Sequence, residues 1–407
     1  MHEFQAMRFY NSMIKIRRLS FAAALLTTLL SLVVSIAAHA ANGNHYIFYV
    51  GTYTEDNGKT TKSKGIYAYS YDAGTGQITP LGLAAETTNP SWVTLSPNGH
   101  FLYAVNEIPN YKGPNSGGVS AFSVDPATGK LTFLNEVPSR GADPCYVTVD
   151  RTGKYVLVAN YTGGSVAAFP ILADGKLGAA TAFVQHTGHG SDPQRQEGPH
   201  AHSIDLSPDN RYAMVDDLGL NELLVYKFDS AKGTLTPNAP PFTKLDDGAG
   251  PRHFALRPDG KFAYVVGELQ STVTAFRYDS DKGTTTTLQT LNARAADYHG
   301  PNEGAEIRMH PSGKFLYVSN RGDDNQIHVF AIDEAKGTLT PVEDVPTKGS
   351  TPRSFEIDPT GTLLLAENQK SDNIIVFRID AKTGRLTPTG KVLDVASPVC
   401  IKFLAIE

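Results

Sequence analysis

Short stretches in which apolar and polar residues alternate make up most of the chain, and turns containing glycine, asparagine or aspartate separate them. Alternation over about eight residues places apolar side chains on one face of a β-strand. The apolar periodicity of a leucine-rich helix does not occur after residue 40. The pattern therefore predicts an all-β protein built from many short strands.

Two sequence units recur along the chain at a spacing of about 50 residues. The first unit is a Pro-x-Gly-type turn and a strand ending in Tyr-Val-x-Asn-like residues, and it occurs at 96–106, 150–160, 207–217, 257–267, 310–320 and 358–368. The second unit is an alternating strand followed by a Gly-x-Leu-Thr-like turn, and its seven strands lie at 65–72, 118–125, 164–171, 222–229, 271–279, 326–333 and 373–380. Four strands per repeat at this period are typical of a β-propeller, so seven copies predict seven blades.

The two ends of the chain supply the strands that the repeats lack. Residues 47–54 match the second strand of a blade without a first strand before it, and residues 397–404 match a first strand without a second strand after it. Pairing these two segments closes the ring and leaves no open sheet edge. We therefore expect residues 41–407 to form one seven-bladed β-propeller with four-stranded blades, closed by the N-terminal strands and the C-terminal strand.

Residues 1–40 are expected to lie outside the propeller. A basic segment at 15–18 precedes an apolar run at 21–37, and Ala38 and Ala40 are small residues at the positions that a signal peptidase reads. This arrangement predicts a signal peptide that is removed after Ala40, and hence a periplasmic or secreted protein. The alternative is an uncleaved membrane anchor.

Composition narrows the classes of partner. The net charge of −5 is mild and argues against nucleic acid or an acidic membrane surface as a partner. No segment after residue 40 is long and apolar enough to span a bilayer, so no membrane contact is expected after cleavage. Cys145 and Cys400 fall in blades that are not neighbours, which predicts two separate buried thiols. The sequence gives no indication of oligomeric state.

Unusual polar residues gather at one end of the aligned strands. The first two strands of a blade are antiparallel, so the start of the first strand and the end of the second lie on the same face of the propeller. The first strands begin with Ser91, Cys145, His202, Arg252, Ala305, Arg353 and Val399, followed by Trp92, Tyr146, Ser203, His253, Glu306, Ser354 and Cys400. Packing alone would favour similar small or apolar residues at these positions. Variation from blade to blade instead predicts a functional site around the central channel.

The candidate site consists of His200, His202, Arg252, His253, Glu268, Arg321 and Arg353. Arginines pair with carboxylate or phosphate groups through two parallel contacts, which favours an anionic ligand. A histidine or glutamate beside them can deprotonate water, and an arginine can stabilise the oxyanion that forms when a lactone carbonyl is attacked. No G-x-S-x-G segment is present, and both cysteines are expected to be buried, so a serine or cysteine nucleophile is not expected.

Structural roles are the alternatives for several of these residues. Glu268 and Arg321 could form a salt bridge between neighbouring blades. His200 and His202 could bind a metal as alternate strand residues, but a zinc site needs a third ligand and none is evident, so neither a metal nor another cofactor is expected. Asn320 is one of several asparagines that end second strands; turn formation is the favoured interpretation and ligand binding the other.

Two further groups of residues are expected to be structural. His186 and His189 lie in a polar stretch at 186–199 that contains glycine and proline, and this stretch is expected to be a surface loop. Trp92 and Tyr146 are expected to pack in the core or the channel rather than to stack on a substrate.

The segments at 198–219, 251–276 and 306–330 resemble the propeller-type lactonase family. That family contains the propeller form of 6-phosphogluconolactonase and is similar to the 3-carboxy-cis,cis-muconate lactonizing enzyme. The resemblance covers the chain from residue 49 to the closing strand. It implies a metal-free enzyme with its site at the channel mouth, formed by the motif residues His200, His202, Arg252, His253, Glu268, Asn320 and Arg321. The sequence departs from the family after Arg321, where Gly-Asp-Asp-Asn stands in place of the expected Gly-His-Asp-Ser.

The resemblance predicts hydrolysis of a sugar-acid lactone, as in glucose metabolism. Either His253 or Glu268 would activate water, Arg252 and Arg321 would hold anionic groups or the oxyanion, and His200, His202, Asn320 and Arg353 would complete the substrate pocket. The phosphorylated lactone of glucose metabolism belongs in the cytoplasm, so an exported member is expected to act on an unphosphorylated lactone. The alternatives are a lactonizing cycloisomerase, a non-catalytic exported binding propeller and a calcium-dependent sugar lactonase.

Overall fold

The alternating stretches form antiparallel strands, because a period of two buries one face of each strand. The computed structural model describes residues 44–56, 58–294, 298 and 300–406. Within these residues the chain forms seven four-stranded sheets and one two-stranded hairpin. The predicted signal peptide at 1–40 lies outside the described residues. No helix in the described part of the chain has the length and apolar character needed to cross a membrane.

Each four-stranded sheet is one blade, and its strands run from the channel to the outer edge in a fixed order. The strands are, in blade 1, Pro398–Ala405, His45–Thr52, Gly65–Asp72 and Gln77–Glu86; in blade 2, Val93–Leu95, Phe101–Asn106, Gly118–Val124 and Leu131–Pro138; in blade 3, Pro144–Val149, Tyr155–Asn160, Ser165–Pro170 and Ala182–Gln185; in blade 4, Ala201–Leu206, Tyr212–Asp217, Glu222–Asp229 and Thr234–Lys244; in blade 5, Pro251–Leu256, Phe262–Gly267, Thr272–Asp279 and Thr284–Asn292; in blade 6, Asn302–Met309, Phe315–Gly322, Gln326–Ile332 and Leu339–Pro346; and in blade 7, Pro352–Ile357, Leu363–Asn368, Asn373–Ile379 and Leu386–Asp394. The hairpin Glu55–Asp56 with Lys59–Thr60 and the 3₁₀ turn Gln369–Ser371 lie outside the blades.

The ring closes where the two chain ends meet in blade 1. The C-terminal strand pairs antiparallel with the N-terminal strand, from Tyr46 opposite Ala405 to Thr52 opposite Pro398. The first strands of neighbouring blades contact one another around the whole ring, including the junction between blades 1 and 2. The predicted seven-bladed all-β propeller, with four-stranded blades and a shared closing blade, is confirmed.

The Gly-x-Leu-Thr-like turns place their glycine at positive φ, and all of them except the turn at Gly76 also pack closely against the preceding blade. Gly337 has a φ of +76°, and a Cβ atom there would lie 2.1 Å from the Phe262 ring. The Gly337 carbonyl also accepts a hydrogen bond of 3.0 Å from the Tyr264 hydroxyl. Tyr103 and Tyr317 donate in the same way to the equivalent turns of the next blades. The recurring tyrosine and glycine therefore join consecutive blades.

The asparagines that end the second strands bind the connections between blades. Asn106 donates from Nδ2 to the Thr88 carbonyl at 2.6 Å, and Asn160 donates to the Ser139 carbonyl at 3.3 Å. Both acceptors follow the outer strand of the preceding blade. Asn160 and Asn368 also donate across their own turns, to Ser165 Oγ at 3.1 Å and to Asn373 Oδ1 at 3.0 Å. The amides of these two residues therefore bind both a neighbouring connection and the turn predicted for them.

A β-bulge at the channel end re-aims one first-strand residue in most blades. In blade 5, Pro251 pairs with Gly267 and His253 pairs with Val266, so Arg252 lies opposite no residue. Equivalent register shifts occur at Cys145, His202 and Arg353. A bulge bends the strand and redirects the extra side chain. The residues that vary from blade to blade are therefore delivered to the channel by a shared backbone irregularity.

Two expectations about individual residues have different outcomes. Cys145 and Cys400 are both buried and unpaired with each other, as predicted. His189 is exposed, but the surface-loop prediction is wrong for His186, which is buried with its Nδ1 atom 2.6 Å from Asp217 Oδ2. The carboxylate of Asp217 provides a buried hydrogen-bond partner for that imidazole.

Candidate active site

Four charged side chains form a closed ring of ion pairs at the channel mouth. Glu268, just after the second strand of blade 5, lies 2.5 Å from Arg195 Nη2 and 2.6 Å from Arg321 Nη2. The same two arginines contact Glu303 through other nitrogens, Arg195 Nη1 at 3.3 Å and Arg321 Nε at 3.2 Å. This arginine–glutamate ring connects blades 5 and 6 with the segment between blades 3 and 4.

Glu268 is the buried corner of the ring and has a third cationic partner. Its side chain is 2% exposed, and its Oε2 atom accepts a hydrogen bond of 3.0 Å from Arg252 Nε. Burial alone would raise the pKa of Glu268, but the charges of Arg321 and Arg252 hold it well below its usual range. Glu268 is therefore ionised at any physiological pH and has little affinity for a proton.

Arg252 connects the ring with the deeper part of the channel. Its Nη1 atom donates to the Ala305 carbonyl at 2.5 Å and lies 3.4 Å from His253 Nδ1. Burial, together with the charges of Arg321 and Arg353, lowers the pKa of Arg252 to about 10. The guanidinium still carries its charge at neutral pH, and it does so in a water-poor environment where its field is weakly screened.

His253 is fixed by a buried carboxylate. Its Nδ1 atom lies 3.1 Å from Glu306 Oε1. A carboxylate can only accept, so this contact places the imidazole proton on Nδ1 and leaves the Nε2 lone pair unprotonated. Glu306 itself accepts hydrogen bonds from the backbone amide of Ile307 at 2.9 Å and from the Ser354 hydroxyl at 3.1 Å.

The histidines of the channel are held neutral. Burial and the nearby charge of Arg252 lower the pKa of both His202 and His253 well below the usual value. The two rings meet edge to face at a centroid distance of 5.1 Å. Trp92 and Tyr146 pack edge-on against His253 at 5.0 and 5.2 Å, which is the packing role predicted for them. Neutral imidazole is the form that accepts a proton.

His200 and Arg353 lie at the edges of the same mouth. The His200 ring stacks on Tyr161 at 4.6 Å, and its Nε2 atom is 3.1 Å from Glu197. The Arg353 guanidinium lies 5.3 Å from the centre of the Tyr53 ring. These contacts hold both side chains against aromatic surfaces beside the ring of ion pairs.

A cleft of about 470 Å³ opens beside the ring. Its lining residues are Asp56, Glu303, Arg321, Gly322, Asp323, Ser350, Thr351, Arg353, Gln369 and Lys370. A second cleft of about 440 Å³ shares Glu303 with it and contains Arg195. The structural alternative for Glu268 and Arg321 was a salt bridge between neighbouring blades. The salt bridge between blades is present, and so is the cleft.

The structure brings most of the predicted site residues together. Glu268, Arg252, Arg321 and His253 form one connected group, and His202 contacts His253. Asn320 is not part of this group, since it is wholly buried and donates from Nδ2 to the Ala293 carbonyl. Its position is that of the other asparagines that hold connections between blades.

Sequence reasoning missed Arg195 and Glu303. Arg195 lies in a connection between blades, where an alignment of repeats places no residue, and Glu303 lies at the start of a first strand, before the two positions that were compared between blades. One signal was available: the stretch at 186–199 is long for a connection between blades, and long connections in compact domains are often functional. The surface-loop interpretation of this stretch therefore overlooked Arg195, which reaches Glu268.

The metal alternative for His200 and His202 finds no support in the described residues. Among them, no group of three or more histidine, cysteine, aspartate or glutamate side chains converges as metal ligands would. His202 Nδ1 instead lies 3.7 Å from Cys145 Sγ. Burial raises the pKa of Cys145 well above its usual value, so it is a thiol rather than a thiolate ligand.

Comparison with known proteins agrees with this architecture. The family described as "Lactonase, 7-bladed beta-propeller" matches residues 47–403. A 6-phosphogluconolactonase of Bacillus subtilis is 38% identical over 359 residues, which cover 88% of this chain and 98% of that protein. A 6-phosphogluconolactonase of Formosa agariphila is 34% identical over 340 residues, which cover 83% of this chain and 94% of that protein.

The fold is also similar to that of a solved structure. The structure of the periplasmic gluconolactonase of Pseudomonas aeruginosa superimposes with a TM-score of 0.82 at 35% identity. The superposition covers 89% of this chain and 100% of that one.

Proposed function

The chain belongs to the seven-bladed β-propeller lactonase family, and on this premise we propose that it hydrolyses a sugar-acid lactone at the mouth of its central channel. Curated relatives at 38% and 34% identity carry the name 6-phosphogluconolactonase. The observation that carries the proposal is the placement of a charged guanidinium, Arg252, against a neutral, carboxylate-anchored imidazole, His253.

Lactone hydrolysis needs a proton acceptor and a stabiliser of negative charge. The oxygen of water bonds to the ring carbonyl carbon and the carbonyl oxygen becomes an oxyanion. The ring C–O bond then breaks to leave a hydroxyl and a carboxylic acid, and the acid releases its proton to solvent. His253 takes the proton of the attacking water and returns it to the departing ring oxygen. Arg252 stabilises the oxyanion, which is most effective where water is largely excluded.

Glu268 is a positioning residue in this proposal and not the base. A carboxylate held by three guanidinium groups has too low a proton affinity to activate water. His253 instead contacts the carboxylate of Glu306, which stabilises the imidazolium that forms when His253 takes a proton. Glu268 instead fixes the directions of Arg195, Arg252 and Arg321. Of the two bases that the sequence left open, His253 is therefore preferred.

The substrate enters through the cleft beside the ring in this proposal. Arg321 and Arg353 line that cleft, and His200 lies beside the mouth. Together with His202 they form the substrate-binding set, from which Asn320 is omitted. The ring hydroxyls of a sugar lactone can use the remaining polar groups of the cleft.

We also propose that the reaction proceeds without a metal and that the enzyme works after export. Basic residues at 15–18 followed by an apolar run at 21–37 support export. The periplasmic gluconolactonase of Pseudomonas aeruginosa is similar over 89% of this chain. N-terminal sequencing of the exported protein should begin at Ala41; retention of the first 40 residues would contradict this proposal.

A pH-stat assay tests the activity. The purified chain from Ala41 is incubated with glucono-δ-lactone or its 6-phosphate, with and without EDTA, and acid release is compared with the spontaneous rate. We expect acceleration that persists in EDTA. Acceleration of neither lactone would reject the proposed activity, and activity that requires added calcium would reject the metal-free mechanism.

A further inference from the structure

Glu303 is the exposed corner of the arginine–glutamate ring. Its side chain is 40% exposed, whereas that of Glu268 is 2% exposed. The two carboxylates occupy different nitrogens of the same two arginines: Glu268 takes the Nη2 atoms, and Glu303 takes Arg195 Nη1 and Arg321 Nε. The contacts of Glu268 are buried, whereas those of Glu303 lie on the more exposed side of the ring, where its contact with Arg321 Nε is an ion pair rather than a hydrogen bond.

The nitrogens that Glu303 occupies are those that an incoming anion would use. Guanidinium groups bind carboxylate and phosphate by paired N–H contacts, and here two guanidiniums converge on one carboxylate. Glu303 lines both clefts, so its carboxylate lies between the arginines and the space through which a ligand enters. An anionic ligand that pairs with these nitrogens of Arg195 and Arg321 has to displace it.

The charge of the larger cleft leads to the same conclusion. Its lining contains three acidic residues, Asp56, Glu303 and Asp323, and three basic residues, Arg321, Arg353 and Lys370. Acidic and basic residues are thus equal in number, and Arg321 is already held by two carboxylates. A phosphorylated ligand would bring two negative charges to a site without an excess of positive charge.

We propose that Glu303 is a specificity-determining residue that disfavours anionic ligands, so that the site prefers an uncharged sugar lactone to its phosphate ester and readily releases the carboxylate product. This inference rests on the proposed lactone hydrolysis and adds the substrate class to it. The side chain of Glu303 competes for Arg195 and Arg321 with a phosphate group before the reaction and with the newly formed carboxylate after it.

The size of the effect follows from the exposure of the contacts. Solvent-exposed ion pairs contribute little each, about 0–1 kcal/mol. Removing the charge of Glu303 frees two such contacts for a ligand, which corresponds to a gain in anion affinity on the order of tenfold. The backbone and the buried contacts of Glu268 are not altered by this change.

The test compares Glu303→Gln with the wild type and with Glu334→Gln. Glu334 is a matched control, because it belongs to the same blade as Glu303, lies in the turn between the third and fourth strands, and is exposed. Like that of Glu303, its carboxylate pairs with an arginine, Arg257. Titration calorimetry measures the Kd of gluconate and of 6-phosphogluconate for each protein. The same proteins are then assayed with glucono-δ-lactone and with its 6-phosphate.

Glu303→Gln should bind both anions about tenfold more tightly than the wild type and Glu334→Gln. The ratio of kcat/KM for the phosphorylated lactone over the unphosphorylated lactone should rise by a similar factor. Unchanged Kd values, or an equal change in Glu334→Gln, would overturn the role of Glu303. Absence of lactone hydrolysis by the wild type would overturn the proposed activity instead, while the calorimetry would still report on Glu303.

Discussion

One arginine, Arg252, lowers the proton affinity of two neighbouring side chains of the channel, Glu268 and His253. The charge of Arg252 helps to keep Glu268 ionised and His253 neutral. An ionised carboxylate with a low pKa orients the cations around it, whereas a neutral imidazole can accept a proton. The proposed division of roles depends on their other partners, because Glu268 contacts three arginines and His253 contacts the carboxylate of Glu306.

The anchoring of His253 by Glu306 has a measurable consequence. In Glu306→Gln the carboxylate charge that fixes the imidazole proton on Nδ1 is lost, so kcat should fall about tenfold or more with little change in KM. Circular dichroism and the melting temperature check that the fold is retained. An unchanged kcat would contradict the role of Glu306.

The pH profile of the wild type tests the same group in a second way. Because burial lowers the pKa of His253 well below 6.5, the base remains unprotonated as the pH falls through the usual histidine range. The value of kcat/KM should therefore stay level from neutral pH to below pH 6.5 and decline only at lower pH. A decline centred at or above pH 6.5 would argue against His253 as the base.

The candidate site residues that could be predicted from the sequence lie at positions that align between the blades. Arg252, His253 and Glu268 stand where other blades carry different residues, so comparison between repeats identified them. Arg195 has no counterpart in such a comparison, and Glu303 lies one residue before the strand positions at which the blades pair equivalently. The protonation states of the site residues could not be predicted from the sequence either, because they depend on burial and on distances between blades, which only the folded structure provides.

At the level of strands and turns, blades are joined by hydrogen bonds from second-strand tyrosines to outer turns. The Tyr264 hydroxyl donates to Gly337 of the next blade, in a fully buried position. Tyr103 and Tyr317 make the same contact in two other blades. The buried hydroxyl of Tyr49, at the equivalent position of blade 1, has no hydrogen-bond partner among the described residues. The repeated turn glycine makes the close approach possible.

Removal of one of these hydroxyls should destabilise the protein measurably. Tyr264→Phe leaves the Gly337 carbonyl without its donor, at a cost of about 1 kcal/mol or more. Thermal or denaturant unfolding measures the change. Tyr67→Phe is the control, because the Tyr67 hydroxyl makes only an exposed 3.3 Å contact with the Lys64 amide. Equal stability of Tyr264→Phe and the wild type would contradict a joining role for this contact.

Strands could be predicted from the sequence, and bulges could not. Alternation with period two is a local property, and it located nearly every strand of the seven blades. The bulges at Cys145, His202, Arg252 and Arg353 depend on how two strands pair, which alternation does not encode. These bulges direct the variable residues into the channel, so the site could be located from sequence but its geometry could not.

At the scale of the whole molecule, the propeller brings together charged side chains from distant parts of the chain. The arginine–glutamate ring joins residues from the connection after blade 3, from blade 5 and from blade 6. Pairing of the first and last strands in blade 1 closes the structure that fixes these distances. The closure was predictable because each chain end carries only part of a repeat.

The central claim is that the channel mouth around Arg252 hydrolyses a lactone, and one comparison tests it most directly. Initial rates of acid release from glucono-δ-lactone are measured by pH-stat for the wild type, Arg252→Ala and Arg277→Ala. Arg277 is the control, because it is an exposed arginine on the third strand of the same blade.

We predict that Arg252→Ala loses turnover by on the order of a hundredfold, while Arg277→Ala keeps the rate of the wild type. Both variants should have the circular dichroism spectrum of the wild type. Wild-type turnover by a correctly folded Arg252→Ala would contradict the claim.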